Sequence, residues 1–215
     1  MSQGPGARPS ANMRFRPTIV VLAAGRGRRF AGPSHKLEQD FDGGTVLGAT
    51  LRRAIESQLP VVVVTTEALA PVAAELLAQR DIVVLNAADA ARGMGFSIAI
   101  GVAERSGAPG WLVLPGDMPL VRPGTLLAVA TALEQHPVVC AQYRGRRGHP
   151  VGFAAELYSE LIMLDGDDGA RRVVARYPAH GQEIDVPGIL LDVDTEADLD
   201  ALRKQQAAAA QAATG

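Results

Sequence analysis

Residues 18–36 read TIVVLAAGRGRRFAGPSHK, and this stretch decides the fold. Its first six residues are β-branched or apolar, which is typical of a strand buried on both faces of a sheet. The strand runs into a loop that carries Arg26, Arg28, Arg29 and Lys36 without an acidic residue. Like charges held close together repel one another, so this loop needs an anionic partner. We interpret it as a loop that binds a triphosphate.

The composition favours a single α/β domain. The chain has 215 residues, of which 47% are hydrophobic and only 4% aromatic. The net charge of −2 argues against general binding to nucleic acid or to an anionic membrane. No apolar run reaches the roughly 18 to 20 residues that a membrane helix needs. We expect a cytoplasmic protein with neither nucleic acid nor membrane as a partner.

The order of the predicted elements indicates the architecture. Strands and helices alternate up to residue 137, which predicts parallel strands joined by right-handed crossovers. Two strand-like runs then flank RGRRG, residues 144–148, and such a short connection predicts an antiparallel excursion. QEIDV (182–186) and ILLDVD (189–194) are predicted as late strands. The sequence therefore predicts a three-layer α/β fold with a mostly parallel sheet.

We divide the chain into three parts. Residues 1–17 are predicted as a flexible leader, 18–204 as the single domain and 205–215 as a loose tail. We find no internal repeat and no linker long enough to separate two domains.

Three charged features follow predicted strands, at the edge of a parallel sheet where ligands bind. They are the arginine-rich loop, Asp117 and the pair Asp192 and Asp194. Mg²⁺ prefers carboxylate and phosphate oxygens, so Asp117 and one of the pair could hold it beside a triphosphate. We expect the Asp117 side chain to be exposed at this edge. The ordinary alternative for Asp117 is a residue that forms a turn. The ordinary alternative for Asp192 or Asp194 is a residue that shapes the start of the following helix and binds no metal.

Two known glycine motifs are excluded. A Walker loop requires G-x-x-x-x-G-K-[ST], which the chain lacks, and the run from Gly25 has Phe30 where a dinucleotide fingerprint has its third glycine. His149 has no cysteine or second histidine at the spacing of a zinc site. The ordinary alternative to substrate binding around His149 is a solvated hairpin. Around Arg171 it is the start of a helix.

Six short motifs occur across nearly the whole of 18–204. They are LAAGRGRRF…K (22–36), GMGFSI (93–98), LPGDMPL (114–120), RGHPVGF (147–153), GDDGAR (166–171) and DVDTEADL (192–199). Each motif is weak alone, but the ordered set resembles the molybdenum cofactor cytidylyltransferase branch of the MobA-like NTP transferases. The spacing between Arg29 and Lys36 is longer than the family's usual pattern.

This resemblance implies a Rossmann-like nucleotidyltransferase fold and roles for particular residues. Arg29, Lys36 and Asp117 are implied to be catalytic, and Asp117 and Asp194 to bind Mg²⁺. The residues implied to contact the nucleotide are Leu22, Ala23, Ala24, Gly25, Arg26, Gly93 and Ser97. Those implied to face the acceptor are His149 and Arg171.

The resemblance also implies a reaction. A nucleotide monophosphate would pass from an NTP to the terminal phosphate of a molybdopterin-type acceptor, with release of pyrophosphate. The segment LAAG is similar to the branch that uses CTP. A molybdoenzyme or its chaperone would then be a further partner. Two alternatives stay open: a transferase of the same fold that acts on a sugar or polyol phosphate, and a non-catalytic maturation factor that binds nucleotide or cofactor.

Overall fold

The strand predicted at the start of the domain lies inside a seven-stranded sheet. The structure, a computed structural model, describes residues 15–25, 27, 30 and 34–214, with side chains up to residue 206. Within this part of the chain the strands are β1 (Thr18–Ala23), β2 (Asp40–Phe41), β3 (Gly44–Thr45), β4 (Val61–Thr66), β5 (Ile82–Leu85), β6 (Gly110–Pro115), β7 (Val138–Tyr143), β8 (Arg146–Ala154) and β9 (Ala179–Glu183). The α-helices are α1 (Val46–Glu56), α2 (Ala70–Ala74), α3 (Ala87–Ala90), α4 (Met94–Glu104), α5 (Pro123–Ala132), α6 (Tyr158–Leu161), α7 (Arg171–Arg176) and α8 (Glu196–Thr214).

The sheet is mostly parallel, in the order β5-β4-β1-β6-β8-β7-β9. β1 pairs in parallel with β4 on one side and with β6 on the other. β8 runs antiparallel to both of its neighbours, β6 and β7, and β9 returns to the parallel direction beside β7. This confirms the mostly parallel sheet and the late antiparallel excursion. β2 and β3 form a separate short hairpin, which the sequence pattern did not predict.

Helices cover both faces of the sheet, so the fold has three layers. Alternate residues of β1 point to opposite faces: Ile19 and Val21 belong to one apolar core, and Val20 belongs to the other. Residues of α1, α5 and α8 contribute to the first core, and residues of α4, α6 and α7 contribute to the second. The predicted three-layer α/β class is confirmed. Within the described residues no helix is long and apolar enough to cross a membrane.

One predicted strand is wrong, and it matters for the site. ILLDVD was predicted as a strand, but Pro187–Leu190 form a 3₁₀ turn and the following residues are irregular. Gly188 packs directly against Leu120, since a Cβ there would lie 2.7 Å from the Leu120 carbonyl oxygen. The segment therefore crosses the end of the sheet instead of adding a strand to it.

Two helix boundaries also differ from the prediction. The sequence ALAPVAAELLAQR, residues 68–80, predicts one helix with Pro71 in its first turn, but the helix is limited to the five residues of α2 and is followed by a turn. The closing helix α8 continues to Thr214, through the segment that we predicted as a loose tail from residue 205. Its alanine-rich end has a high intrinsic helix propensity, which explains the continuation.

The contact between α4 and the sheet gives a testable prediction. A Cβ added to Gly101 of α4 would lie 2.4 Å from Cγ1 of Val20 and 3.0 Å from Cγ2 of Val64. Gly101→Ala should therefore lower the free energy of unfolding by about 1–3 kcal/mol, because the helix must move away from β1 and β4. Urea denaturation measures this change.

Gly124 of α5 supplies the matched control. It is also a helical glycine, but a Cβ there would meet nothing within 4 Å. Gly124→Ala should leave stability unchanged or raise it by up to about 1 kcal/mol. Equal stability of the two variants would contradict the close packing of α4 on the sheet.

Candidate active site

The ends of β1 and β6 are joined by a backbone hydrogen bond at the carboxyl edge of the sheet. The amide of Gly116 donates to the Leu22 carbonyl at 2.8 Å. A Cβ on Gly116 would lie 2.9 Å from that same carbonyl oxygen, so the close approach requires glycine. The next residue is Asp117, which is therefore held directly beside the end of β1.

A second backbone hydrogen bond brings the late acidic segment to the same place. The Val193 amide donates to the Asp117 carbonyl at 3.1 Å. The carboxylate of Asp198, in the first turn of α8, accepts from the amides of Asp194 at 3.2 Å and Thr195 at 2.7 Å. The Thr195 hydroxyl accepts in turn from the Asp198 amide, as expected for a helix N-cap. This cap fixes the backbone that carries Asp194.

Three carboxylates converge as a result. One carboxylate oxygen from each of Asp117, Asp192 and Asp194 lies within 4.8 Å of the others. The whole Asp117 residue is 9% exposed and its side chain is 12% exposed, which corrects the expectation of an exposed side chain. The crossing segment and Lys36 contact Asp117, and they remove it from solvent although it lies at the edge of the sheet. The sequence pattern identified the acids, but it did not predict that the crossing segment and Lys36 would bury Asp117.

Among the residues that the structure describes, Lys36 contributes a cation to this cluster. Its Nζ donates to Oδ2 of Asp117 at 2.5 Å and to Oδ1 of Asp194 at 3.0 Å. Burial lowers the pKa of Lys36, but Asp117 and then Asp194 outweigh burial, so the pKa is raised overall. The ammonium group is therefore charged at neutral pH.

Among the described residues, the three carboxylates of the cluster face one ammonium group. Burial, followed by repulsion from Asp117 and Asp194, raises the pKa of Asp192, although its side chain has an exposed surface. Oδ1 of Asp117 is buried and has no hydrogen-bond partner among the described residues. Three carboxylates with a free buried oxygen suit a hard divalent cation such as Mg²⁺ or Mn²⁺.

His35 fixes the position of Lys36, and the sequence analysis missed this role. Nδ1 of His35 accepts from the Leu37 amide at 3.2 Å, while Nε2 contacts the Gly25 carbonyl at 2.9 Å. This pairing fits a neutral imidazole that carries its proton on Nε2. Leu37 is buried at 3% exposure and anchors the 3₁₀ turn Lys36–Glu38. No sequence motif marked His35; only its position between the loop and Lys36 could have suggested it.

The loop after β1 is described only in part. Leu22 and Ala23 end β1, Ala24 is buried and Gly25 is exposed, all at the carboxyl edge as expected. Gly25 approaches the lysine-bearing turn through its contact with His35. Arg26 and Arg29 lie outside the described residues, so their predicted roles stay predictions.

Gly93 and Ser97 lie at the start of α4. Gly93 has a φ of 98° and precedes the first residue of the helix. The Ser97 hydroxyl donates to the Gly93 carbonyl at 3.4 Å, so it is already used inside the helix. The adjoining loop is tied to GDDGAR by two hydrogen bonds: the Gly95 amide donates to the Gly166 carbonyl at 2.8 Å, and the Gly166 amide donates to the Arg92 carbonyl at 2.9 Å. The segments predicted to face nucleotide and acceptor are thus in direct contact.

The two residues predicted to face the acceptor occupy different environments. His149 lies on β8, two residues before Val151, which pairs with Val113 near the end of β6. Burial lowers the pKa of His149 despite the opposing charge of Asp117, so its imidazole is neutral at neutral pH. Arg171 is exposed at the first residue of α7. His149 is thus near Asp117, whereas none of the described contacts joins Arg171 to the acidic cluster.

An open, mostly parallel sheet with clustered carboxylates at its carboxyl edge is typical of enzymes that act on nucleoside phosphates. A profile of the MobA-like NTP transferase domain matches residues 19–182. The chain therefore belongs to the MobA-like NTP transferase family, and it is classed as a nucleotidyltransferase. No curated protein matches the sequence.

Solved structures agree with this assignment. The chain is 30% identical to Rv0371c from Mycobacterium tuberculosis H37Rv, covering 88% of this chain and 99% of that one, with a TM-score of 0.75. A complex of Rv0371c with manganese aligns at 29% identity, with coverage of 88% and 99% and a TM-score of 0.72. A nucleotidyl transferase from Methanothermobacter aligns at 26% identity, with coverage of 88% and 97% and a TM-score of 0.72.

The third acid of the cluster can be tested separately from the ion pairs. Asp192 makes none of the Lys36 contacts, so Asp192→Asn should leave those contacts intact while it removes a cation ligand. We expect the affinity for Mn²⁺ to fall at least about tenfold, as it does when even the supporting groups of metal sites are removed. Electron paramagnetic resonance of free Mn²⁺ measures the affinity.

Asp200→Asn is the control, because Asp200 is an exposed acid of α8 that pairs with Arg203. It removes the same charge from the protein and should leave Mn²⁺ binding unchanged. If the two variants bind Mn²⁺ equally, Asp192 is not a ligand.

Proposed function

We propose that the protein transfers CMP from CTP to the terminal phosphate of a molybdopterin-type acceptor and releases pyrophosphate. The observation that carries this proposal is the meeting of Lys36 with Asp117 and Asp194 at the carboxyl edge of a MobA-like domain. A site that combines an ammonium group with several carboxylates suits a triphosphate accompanied by a divalent cation. The manganese complex of the relative Rv0371c supports the use of such a cation.

We assign the cation as Mg²⁺, with Asp117 and Asp194 as its ligands and Asp192 as a third. When bound, the cation would supply positive charge that neutralises the negative charge of the phosphates. The unpartnered buried oxygen of Asp117 supports the assignment, because an uncompensated buried carboxylate oxygen costs free energy.

The proposed reaction needs no strong general base. A terminal phosphate oxygen of the acceptor attacks the α-phosphorus of CTP, and the bond from that phosphorus to the bridging oxygen of the β-phosphate breaks. The acceptor phosphate has a second pKa of about 6, so it is largely a dianion near neutral pH. The chain then contributes mainly orientation and charge stabilisation.

Individual residues have separate tasks in this scheme. The Lys36 ammonium, with Arg29, stabilises the charge of the leaving pyrophosphate. The backbone of Leu22 and Ala23 contacts the base, although the Leu22 carbonyl also accepts from the Gly116 amide. The neutral His149, whose ring N–H is used by the Val113 backbone, faces the acceptor beside Asp117 without adding charge. Arg171 and the loop before α7 face the rest of the acceptor.

Pyrophosphate release is the direct test. With CTP, molybdopterin and Mg²⁺, the wild-type protein should release pyrophosphate, and Asp117→Ala should lower kcat by at least about 100-fold, the cost typical of losing a group that stabilises transition-state charge. Gly124→Ala is the folded control and should keep wild-type activity. Wild-type turnover by Asp117→Ala would refute the proposed site.

The same assay separates the alternatives. Turnover with a sugar or polyol phosphate, but not with molybdopterin, would replace the proposed acceptor and keep the reaction class. Tight nucleotide binding without turnover on any acceptor would favour a maturation factor. Delivery of the product to a molybdoenzyme or its chaperone, and location in the cytoplasm, stay predictions from the sequence.

The choice of base has its own prediction. A ligand that binds only the folded protein stabilises it by about 2.7 kcal/mol at a concentration of 100 times its Kd. CTP with Mg²⁺ should therefore raise Tm more than equal concentrations of GTP, ATP or UTP. A larger shift with GTP would contradict the assignment to the cytidylyl branch while leaving the reaction class intact.

A further inference from the structure

The Lys36 ammonium contacts two of the three carboxylates of the cluster. It contacts Asp117 at 2.5 Å and Asp194 at 3.0 Å, and these are the two acids assigned to the divalent cation. Both side chains are shielded, with 12% exposure for Asp117 and 21% for Asp194. Little water is available there to screen two cations from each other. An ammonium group and a divalent cation therefore compete for the same oxygens.

The backbone beneath Lys36 is held in place, and its side chain reaches the two acids. Leu37 is buried, and His35 caps the turn that carries the lysine. The flexible four-carbon stem of a lysine can reposition its ammonium while the backbone stays fixed. Exchange at this site can therefore take place through the Lys36 side chain while the backbone of the Lys36–Glu38 turn stays in place.

We propose that Lys36 is a tethered counter-cation that holds the acidic cluster together before substrate binds and gives up its place to the divalent cation. This inference rests on the proposed function to the extent that the displaced ammonium then pairs with the triphosphate that arrives with the cation. The ion pair between Lys36 and the triphosphate thereby replaces the ion pairs that Lys36 makes with Asp117 and Asp194. The divalent cation binds weakly to the free protein and tightly to its nucleotide complex, so the lysine couples the two ligands.

The coupling can be measured without any turnover. Lys36→Met removes the ammonium and keeps the length of the side chain. It should raise the affinity for Mn²⁺ in the absence of nucleotide by about tenfold or more, because the Lys36 ammonium no longer has to be displaced. With a CTP analogue that cannot be cleaved at the α-phosphorus, the gain should disappear, because the triphosphate has lost its lysine partner.

The chain offers one matched control, since it contains only two lysines. Lys204→Met removes the same charge from the exposed surface of α8 and should leave Mn²⁺ affinity unchanged with and without nucleotide. An affinity of Lys36→Met for Mn²⁺ that equals or falls below the wild-type value, in the absence of nucleotide, would overturn the proposal.

A second measurement uses the wild-type protein and does not depend on how the variant folds. Selective ¹³C labelling of lysine gives two side-chain signals, one from Lys36 and one from Lys204. Saturating Mg²⁺ should move the Lys36 signal towards the position of an exposed lysine and leave the Lys204 signal in place. A Lys36 signal that does not respond to saturating Mg²⁺ would overturn the exchange.

These outcomes are distinct from those that test the proposed function. The experiments on metal exchange contain no acceptor and require no transfer of a nucleotide. A protein that exchanges Lys36 for Mg²⁺ but transfers nothing would refute the transferase and keep the counter-cation. A protein that transfers the nucleotide without exchange of Lys36 for Mg²⁺ would refute the counter-cation and keep the transferase.

Discussion

The two ion pairs of Lys36 join segments that are far apart in the chain. Its partners Asp117 and Asp194 are 81 and 158 residues away in sequence. Three carboxylates within 4.8 Å of one another repel strongly, and this repulsion must be offset for the edge of the sheet to close. Among the described residues, the approach of these segments to one another therefore depends on the Lys36 ammonium. Neither the fold of each segment nor its sequence motif implies this dependence.

Much of the fold could be predicted because its strands are unusually well marked. The runs that form β1, β4 and β6 are short, rich in apolar or β-branched residues and buried on both faces, and few other structures accommodate such segments. Because these strands are parallel, the sequence predicted that Asp117, which follows β6, lies at the carboxyl edge of the sheet. The prediction failed at ILLDVD, where an equally apolar run passes over the end of the sheet. Local composition did not reveal that Gly188 would pack on Leu120 or that β9 would take the place beside β7.

The candidate site was predicted in its parts but not in its contacts. Lys36, Asp117 and Asp194 were identified from sequence, yet Lys36 was assigned to phosphate and not to the acids. A basic loop without acids indicated a bound anion. For Lys36 the structure provides protein anions, contributed by chain segments that no local pattern could link to the loop. Asp192 was weighed and set aside, and His35 carried no motif at all. The arginines of the loop lie outside the described residues and keep their predicted role.

The paired hydrogen bonds between the Arg92–Gly95 segment and Gly166 have a consequence for divergence within the family. Each of these loops donates a backbone hydrogen bond to a carbonyl of the other. The loops also pack closely, since a Cβ on Gly95 would lie 2.7 Å from the Asp165 carbonyl oxygen. A relative that changes the length or shape of one loop must reshape the other at the same time. Exchange of substrate preference between family members is therefore expected to require transplanting both loops together, and chimaeras that carry only one should fold poorly.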